Sequence, residues 1–503
     1  MLRIAGSDMR VCLINPPRIQ PKLWGKPSVF QPLDIAYVAA VLEEQHKVCI
    51  IDAPTEGWRN LKEIEGKRYR LGLTNEEIAA KVKVWSPDFV VITVPFSGWL
   101  KTALEVASTV KSIDKNITNV LIGMHPSTRP ADCLVHSCID FVVIGEPEQT
   151  VSELASVLER RENERLREVR GISFINNGER VITPRRPFIQ DLDSLPFPAR
   201  HLLPMDALFA AVKENPTRGE IREPCARILT SRGCPHNCIF CSNHIMMGKK
   251  WRGRSPENVV DEIEQLVNNF HIKQIDFEDD NLTADKKRME TICDLIIKRR
   301  LDIKWYTPNG VRADNLDENL LTKMKSAGCE RILIAPESGV QRVVNQIIKK
   351  DLDLEKVEQV VTLSRKAGIK VGCFFIMGFI GETKNDIKAT INYAYKLKQL
   401  GADHFYFNYA MPLFGTELYE QAKSKGFLKA TYSDETVSEA IPLIETPEFS
   451  ADDLRKFATE ANLINPAFTR DRLLEAARNP KKAMKFLFGR ITVIRNKETS
   501  EKV

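Results

Sequence analysis

The sequence predicts an α/β protein in which an N-terminal doubly wound parallel sheet precedes a partial (β/α)6 barrel and a small helical C-terminal region. Short apolar runs alternate with amphipathic stretches over residues 8–160, and the alternation returns over residues 223–425. This is the pattern of repeated βαβ units. The chain has 503 residues, more than one ordinary domain holds. Its 43% hydrophobic and 28% charged residues exclude wholesale disorder.

Residues 8–160 are predicted to form the first domain. Strands that alternate with helices build a parallel sheet covered on both faces. Such sheets, including the Rossmann-like and flavodoxin-like folds, bind ligands beyond the carboxyl ends of their strands. The predicted strands are residues 10–15, 47–52, 89–94, 120–123 and 141–144, and the predicted helices are residues 34–44, 75–85, 100–113 and 149–159.

Residues 161–222 are predicted to be a linker between two domains. A short hairpin is expected over residues 171–183, with Asn176-Asn177-Gly178 at its turn. The run Leu195-Pro196-Phe197-Pro198 follows, and closely spaced prolines favour an extended segment over a core element.

Residues 223–425 are predicted to form the second domain, and residues 426–503 a helical C-terminal region. Repeated βα units in a segment of this length suit a barrel or partial barrel, whose chemistry lies at the strand ends. The predicted strands are residues 227–230, 274–278, 304–306, 331–335, 370–377 and 404–409, and the predicted helices are residues 256–269, 286–299, 318–327, 354–367 and 384–400.

Composition narrows the function class. The chain contains 11 cysteines, mostly inside apolar runs and without an evident secretion signal, which is typical of reduced thiols and not of a disulfide framework. A net charge of +6 over the whole chain does not require a nucleic-acid partner. The longest apolar stretches are too short to span a bilayer. We therefore expect a cytoplasmic protein that binds no nucleic acid.

Three cysteines stand apart because Cys234, Cys238 and Cys241 share one short loop after the first predicted barrel strand. A structural zinc site needs a fourth ligand at regular spacing, and only the local His236 and His244 are available. Three protein ligands instead leave one iron of an iron–sulfur cluster open for chemistry. Zinc bound with His244, or three unrelated thiols, are the alternatives.

The run Cys-Pro-His-Asn-Cys-Ile-Phe-Cys at residues 234–241 resembles the cluster loop of the radical S-adenosylmethionine (SAM) enzymes, including the aromatic residue before the third cysteine. Four later strand ends resemble that superfamily in the same order. They are residues 277–283, 309–312, 336–339 and 375–383. The resemblance implies a [4Fe–4S] cluster held by the three cysteines, with SAM bound at its open iron.

The same resemblance implies contacts to SAM at these strand ends. Glu278 or Asp279 would hold the ammonium group. Glu337 and Ser338 would contact the ribose or the carboxylate, and Arg312 would place a positive charge behind them. The full implied set is Phe240, Glu278, Asp279, Arg312, Glu337, Ser338 and Phe379.

Residues 15–17, 123–127 and 145–150 resemble the cobalamin-binding domain of cobalamin-dependent radical SAM enzymes. Met124 stands where that family usually has the second glycine of Gly-Gly-X-His, and no Asp-X-His-X-X-Gly motif supplies a histidine below the cobalt. The resemblance implies bound cobalamin. A sheet that binds nothing, with an ordinary histidine in its turn, is the alternative. The implied contacts are Pro16, Ser97, Gly123, His125, Gly145 and Glu146.

Together the resemblances imply an enzyme, a cobalamin-dependent radical SAM C-methyltransferase. One SAM would methylate cobalamin, and a second would yield the 5′-deoxyadenosyl radical that activates an unactivated substrate carbon. A small-molecule or lipid-like substrate and an electron donor such as flavodoxin or ferredoxin are implied. The alternatives are cyclisation, rearrangement or carbon–carbon coupling by the same machinery, and a non-enzymatic cobalamin carrier or sensor. A methylthiotransferase for transfer RNA fits less well, because its N-terminal cluster needs three further suitably placed cysteines.

The basic C-terminal segment, residues 478–497, holds seven Lys and Arg residues and no acidic one, with Phe, Leu and Ile interleaved. An amphipathic basic helix can lie on an anionic membrane surface, which would suit a lipid-like substrate. A docking helix with a solvated face is the alternative.

Overall fold

The structure, a computed structural model, describes residues 9–22, 25–65, 68–214 and 224–465. The strands of its N-terminal part are β1 (Arg10–Asn15), β2 (Arg18–Pro21), β3 (Lys47–Asp52), β4 (Leu61–Ile64), β5 (Arg68–Leu71), β6 (Phe89–Thr93), β7 (Thr118–Ile122), β8 (Phe141–Val143), β9 (Ile172–Asn176) and β10 (Glu179–Ile182). The helices of this part are α1 (Leu33–Leu42), α2 (Ala53–Glu56), α3 (Asn75–Trp85), α4 (Leu100–Ile113), α5 (Met124–Thr128), α6 (Pro130–Leu134), α7 (Glu148–Glu159) and α8 (Met205–Glu214).

The N-terminal sheet has seven strands in the order β10-β9-β8-β7-β6-β1-β3. The five predicted strands, β3, β1, β6, β7 and β8, pair in parallel. Buried aliphatic side chains pack on both faces of the sheet, which confirms the doubly wound prediction. The predicted hairpin, β9 and β10, adds to this sheet in antiparallel pairing. The first unit therefore extends past residue 160 into the predicted linker, because β9 pairs with β8.

Two further segments differ from the sequence prediction. Strands β2, β5 and β4 form a separate three-stranded antiparallel sheet. The sequence did not predict it, because these segments lack a clear alternation of apolar residues. Beyond β10, residues 183–204 contain only short 3-10 turns, as the prolines predict. Helix α8 then packs its apolar side against the first-domain core, so this part of the predicted linker is buried structure.

The second part contains the strands β11 (Cys225–Ile228), β12 (Ser231–Arg232), β13 (Arg252–Gly253), β14 (Gln274–Phe277), β15 (Lys304–Val311), β16 (Cys329–Glu337), β17 (Lys370–Met377) and β18 (His404–Tyr409). Its helices are α9 (Asn243–Met247), α10 (Pro256–Phe270), α11 (Lys286–Lys298), α12 (Glu318–Ser326), α13 (Leu354–Ala367), α14 (Lys384–Leu400), α15 (Glu417–Ser424) and α16 (Ala451–Ala461).

The second sheet has six strands in the order β11-β14-β15-β16-β17-β18, all of them parallel. The first and last strands do not pair with each other, so the sheet is the predicted partial barrel. The helices cover its outer face through one large apolar core. Their starts follow local sequence: Thr383 and Asp386 form a capping box at α14, and Ser255 caps α10.

The predicted helical C-terminal region is only partly helical. In its described portion, up to residue 465, α16 is the one α-helix, and residues 427–450 are mostly irregular. This stretch crosses back to the first domain, where the Ser438 hydroxyl accepts a hydrogen bond from Gly98 N–H (3.1 Å) and Glu435 pairs with Arg68 (2.6 Å). The basic C-terminal segment lies outside the described residues.

All 11 cysteines lie within the described part of the chain and are free thiols, as expected from their composition and placement. Within that same part, every helix falls short of the length and apolar character that a bilayer crossing requires.

Candidate functional site

A cavity of about 400 Å³ lies between the two domains. On one side it is bordered by residues at the ends of β1, β6 and β7, and on the other by residues at the ends of β11, β12 and β14. Apart from β12, which pairs antiparallel with β13, these are the carboxyl ends of parallel strands, where open α/β sheets and barrels bind their ligands. Leu413, Phe414 and Val437 line it from the C-terminal part. The ligand-binding edges of both sheets therefore face one shared space.

The three-cysteine loop runs between β12 and α9, beside this cavity. Gly233, just before it, has a φ of +85°, and a Cβ there would lie 2.3 Å from the Lys250 carbonyl oxygen, so only glycine fits this turn. Directly after Cys241, Ser242 and Asn243 line the cavity. The residues on both sides of the loop therefore border the cavity, while the three cysteines themselves lie behind its wall.

The thiols of Cys234, Cys238 and Cys241 are half-buried. Burial raises the pKa of Cys238, and it raises the pKa of Cys241 to about 12. Charge on a neighbouring thiol of the loop raises both further, so the three groups lie within electrostatic reach of one another. Among the described residues, no three His, Cys, Asp or Glu side chains, His244 included, form a gathered metal-ligand set. The donor chemistry fits a cationic cluster, since a bound metal offsets the cost of buried thiolates.

The two acidic residues directly after β14, Glu278 and Asp279, have different roles. Asp279 is buried and accepts hydrogen bonds from the Thr230 amide (3.2 Å), the Thr230 hydroxyl (2.7 Å) and the Ser231 hydroxyl. It therefore fixes the chain just before the cysteine loop, and its oxygens are occupied. Glu278 lines the cavity and pairs with Arg227 (3.1 Å). Of the two residues predicted to hold an ammonium group, Glu278 is the one at the cavity.

Asp280, which was not among the predicted residues, also lines the cavity. Its carboxylate accepts a hydrogen bond from the side-chain amide of Asn243, which connects it to the segment after the cysteines. Burial, followed by the charges of Asp279 and Glu278, raises the pKa of Asp280 to about 7. Sequence reasoning missed it because β14 ends at Phe277, and the turn beyond a strand does not continue the strand's alternation.

The predicted polar residues of β15 and β16 have protein partners. Arg312 donates to the carbonyl oxygen of Lys350 (2.9 Å), and the buried Glu337 pairs with the ammonium group of the same lysine (2.8 Å). The Ser338 and Thr390 hydroxyls lie 2.9 Å apart in a hydrogen bond. The contacts of Arg312 and Glu337 join the ends of β15 and β16 at Lys350, and the contact of Ser338 joins β16 to α14. The predicted contacts of these residues to SAM stay predictions.

The two predicted aromatic residues come together although 139 positions separate Phe240 from Phe379 in the sequence. Their ring centroids lie 5.7 Å apart, and both belong to an apolar cluster beside the cysteine loop. Phe379 is held by its backbone, because the Glu382 carboxylate accepts hydrogen bonds from the amides of Gly378 and Phe379, each at 2.8 Å. Phe379 is completely buried, and neither ring lines the cavity. Their predicted contact to SAM stays a prediction.

Of the residues predicted to contact cobalamin, Ser97 and Gly123 line the cavity. Gly123 has a φ of +115°, and a Cβ there would lie 2.7 Å from the Val94 carbonyl oxygen, so glycine is required. His125 is buried, with Nδ1 2.9 Å from the Ser97 hydroxyl and with Nε2 unpaired among the described residues. Burial lowers the pKa of His125, which favours the neutral ring.

Four of the six predicted cobalamin contacts, namely His125, Pro16, Gly145 and Glu146, do not line the cavity. Pro16 is buried, and its neighbour Asn15 borders the cavity instead. Gly145 turns the chain with a φ of +92° and donates its N–H to the Ser127 hydroxyl (3.0 Å). Glu146 is buried in an ion network and has no place on the cavity wall.

The Glu146 carboxylate joins the two domains. It pairs with Arg232 (3.1 Å) and Arg252 (3.0 Å) and also accepts the Ile189 N–H (2.8 Å). Its oxygens are therefore occupied, which does not support the predicted contact to cobalamin. Glu148, which was not predicted, pairs with Arg232 (2.6 Å) and does line the cavity. Four buried charges thus connect the turn after β8 to the strands that flank the cysteine loop.

Comparison with known proteins gives the same two units. The family model described as the Radical SAM superfamily matches residues 228–394, and the model described as the B12 binding domain matches residues 27–155. An uncharacterized methyltransferase from Pyrococcus horikoshii is 33% identical over 454 residues, covering 90% of this chain and 91% of the relative. The cytidylyl-2-hydroxyethylphosphonate methyltransferase of Streptomyces wedmorensis is 29% identical, with 80% and 79% covered.

Among solved structures, the radical SAM methyltransferase TsrM from Kitasatospora setae, with cobalamin and a [4Fe–4S] cluster bound, has a TM-score of 0.65. Its sequence is 17% identical, and the match covers 89% of this chain and 84% of that one. At this identity the likeness shows a shared fold. It extends over both domains.

Fold and site together define a radical SAM enzyme with an N-terminal B12-binding domain. The chain belongs to the radical SAM superfamily, in the group whose members carry that domain. Its cofactors are a [4Fe–4S] cluster, SAM and cobalamin. The half-buried thiols of the cysteine loop are donors of the kind that the cluster needs, and Ser97 and Gly123 line the cavity at the carboxyl edge of the first sheet, where cobalamin would bind.

Proposed function

We propose that the protein is a C-methyltransferase that transfers a methyl group to an unactivated carbon of a small molecule. The observation that carries the proposal is the shared cavity. Ser97 and Gly123 border it from the B12-binding domain, and Ser242 and Asn243 border it next to the cysteine loop. A substrate held there faces both cofactors. The two relatives named as methyltransferases, matched over 90% and 80% of this chain, favour methyl transfer over other radical outcomes.

When bound, the cluster and SAM supply the radical that removes hydrogen from the substrate, and cobalamin supplies the methyl group. The chain's own contribution is to hold, orient and shield these groups. Cys234, Cys238 and Cys241 hold the cluster on a loop fixed by backbone hydrogen bonds. Phe240, which is only partly buried, would face the adenine ring, and the buried Phe379 packs against Phe240.

Glu278 and Asp280 are the acceptors for the ammonium group of SAM. Both line the cavity, and a carboxylate pairs well with an ammonium group in a water-poor site. Asn243 orients Asp280 through its side-chain amide. Asp279 does not contact SAM in this proposal. It holds the end of β14 in place through its hydrogen bonds from Thr230 and Ser231.

The raised pKa of Asp280 predicts a pH dependence of SAM binding. Burial, Asp279 and Glu278 together bring that pKa to about 7, so Asp280 is neutral below this pH and negatively charged above it. A cationic ligand binds the charged form better. We therefore expect SAM affinity to rise about tenfold between roughly pH 6 and pH 8, measured by equilibrium dialysis under anaerobic conditions.

Substituting Asp280→Asn should flatten this profile and hold the affinity at its low-pH value. Asp302→Asn is the matched control, because Asp302 is highly exposed and pairs only distantly with Lys273 (4.0 Å); it should keep the wild-type profile. A profile that stays steep in the Asp280→Asn variant would show that another group binds the ammonium.

Methyl transfer is tested with SAM that carries a deuterated methyl group. The anaerobic, cluster-loaded enzyme is incubated with hydroxocobalamin and a reductant, and the corrinoid and small molecules are then analysed by mass spectrometry. We expect the label on the corrinoid and, in the presence of substrate, on a carbon of the product. Turnover of SAM with no label on either would contradict the proposal.

The proposal includes a cytoplasmic setting and a flavodoxin-like or ferredoxin-like electron donor. The free thiols support the setting, since a reducing compartment keeps them reduced. A one-electron donor is needed because cleavage of SAM consumes an electron that no residue of the chain supplies.

A further inference from the structure

Glu148 is the first residue of α7 and lines the shared cavity. Its side chain is buried, with 2% of the residue exposed. One oxygen, Oε1, accepts a hydrogen bond from Nη2 of Arg232 at 2.6 Å. The other, Oε2, is buried and has no hydrogen-bond partner among the described residues. Leaving a buried carboxylate oxygen unpaired is costly, so such an atom calls for an explanation.

The neighbouring Glu146 does not lack hydrogen-bond donors. Both oxygens of Glu146 have partners: Arg232 and Arg252 donate to Oε1, at 3.1 and 3.0 Å, and Ile189 N–H donates to Oε2 at 2.8 Å. The ion network therefore anchors the turn after β8 and fixes Glu148 through Arg232. Of the four carboxylate oxygens of Glu146 and Glu148, Oε2 of Glu148 is the one that has no hydrogen-bond donor among the described residues. A donor for this atom would have to come from a bound molecule.

The chemistry of that missing partner is restricted. A carboxylate accepts hydrogen bonds and donates none, so the partner must carry an N–H or O–H group. The Glu148 carboxylate itself repels an anion. The cavity wall also holds three further acidic residues, Asp34, Glu278 and Asp280, against two basic ones, Arg227 and Arg232, so an anionic partner is disfavoured. Two of the cofactors carry such donors, namely SAM and the carboxamide side chains of the corrin ring. Glu148 starts the helix that follows β8 and lies within residues 27–155, which match the B12 binding domain, so its position favours the corrin carboxamides.

We propose that Oε2 of Glu148 accepts a hydrogen bond from a corrin carboxamide and so helps hold cobalamin at the edge of the first sheet. The inference rests on the proposed function, because it needs cobalamin in this cavity. It assigns to Glu148 the contact first expected of Glu146. An N–H or O–H group of the substrate is the other source of the same chemistry, and the experiment separates the two.

The test is the affinity of the full-length, cluster-loaded protein for hydroxocobalamin, measured by the change in visible absorption without substrate. In Glu148→Gln the side-chain oxygen can still face Arg232, so an amide NH2 replaces Oε2 and turns an acceptor into a donor. We expect the Kd to rise about tenfold or more. Glu153→Gln, on the same helix but paired with Arg186 and 40% exposed, should leave the Kd unchanged.

Two further measurements separate recognition from a structural effect. Glu146→Gln perturbs the ion network but not Oε2; an equal loss of affinity in this variant would overturn the proposal. The second measurement uses hydroxocobalamin derivatives in which one carboxamide is hydrolysed to a carboxylate, so that a neutral hydrogen-bond donor becomes an anionic acceptor. One derivative should bind wild-type protein more weakly than hydroxocobalamin does and should bind Glu148→Gln more tightly, a reversal that a purely structural role would not produce.

The failures are distinguishable. If wild-type protein binds no hydroxocobalamin, the cobalamin part of the proposed function fails together with this inference. If wild-type protein binds it and Glu148→Gln binds it equally well, only the inference fails, and Oε2 is then assigned to a substrate donor. Retention of the wild-type order of affinities for all carboxylate derivatives in Glu148→Gln would overturn it as well.

Discussion

Replacing Cys238 by alanine is expected to reduce 5′-deoxyadenosine formation about a thousandfold or more, to background. Cys238 is the central thiol of the loop that runs from β12 to α9. Burial raises its pKa although Lys350 and Arg312 act against this, and a bound metal would stabilise the thiolate further. Without Cys238, two thiols remain to hold a cluster. The measurement is deoxyadenosine released from SAM and reductant by the anaerobic, iron-reconstituted protein, with its iron and sulfide content.

Cys138→Ala is the matched control for this variant. Cys138 is also a half-buried free thiol, but it packs in the first-domain core. It should retain wild-type iron and turnover. A Cys238→Ala protein that kept both would place the cluster elsewhere, and a Cys138→Ala protein that lost both would mean that the assay reports folding and not ligation.

The second large effect is expected on stability. Glu262 on α10 is completely buried between Arg200 and Arg254 and lies 2.7 Å from the first. Burial alone would raise the pKa of Glu262, but these two guanidinium groups hold it below its usual value. Glu262→Ala leaves two buried positive charges unpaired, which costs about 3–5 kcal/mol. Arg200 comes from the connecting segment, so the pair fastens that segment to the barrel.

We expect the apparent Tm of Glu262→Ala to fall by roughly 3–5 °C in a calorimetric scan. Glu264→Ala is the control on the same helix, because its ion pair with Arg299 (2.7 Å) is 44% exposed on the Glu264 side and is worth about 1 kcal/mol or less. Since the folded pKa of Glu262 is depressed, its contribution is present above the unfolded pKa and disappears as the pH falls through the folded one. Equal Tm values for the two variants would contradict the buried-pair assignment.

The sequence predicted the fold well where a segment carries its own periodic pattern. Strands Arg10–Asn15, Lys47–Asp52 and Lys370–Met377 and helices Asn75–Trp85 and Lys384–Leu400 have the predicted bounds. These elements are long, with an alternation that burial on one or both faces imposes. The β4–β5 hairpin and the irregular residues 427–450 were missed because they depend on contacts with distant parts of the chain.

The site was predictable as a set of motifs, but the role of each acidic residue within a motif was not. Glu278, Asp279 and Asp280 are consecutive, and their different roles depend on where each carboxylate points after β14 ends. The roles of Glu146 and Glu148 likewise differ because of their ion pairs with Arg232 and Arg252, which belong to the other domain. Pairing across a domain boundary leaves no local signal in one sequence.

The central claim is that one cavity brings a radical-generating cluster and a cobalamin-bound methyl group to the same substrate. Its most direct test is the product analysis of anaerobic, cluster-loaded protein incubated with hydroxocobalamin, SAM and dithionite. The proposed function predicts retained cobalamin and the appearance of both 5′-deoxyadenosine and S-adenosylhomocysteine. Deoxyadenosine alone, from a protein that retains no cobalamin, would contradict it and would leave a radical enzyme whose N-terminal sheet serves another purpose.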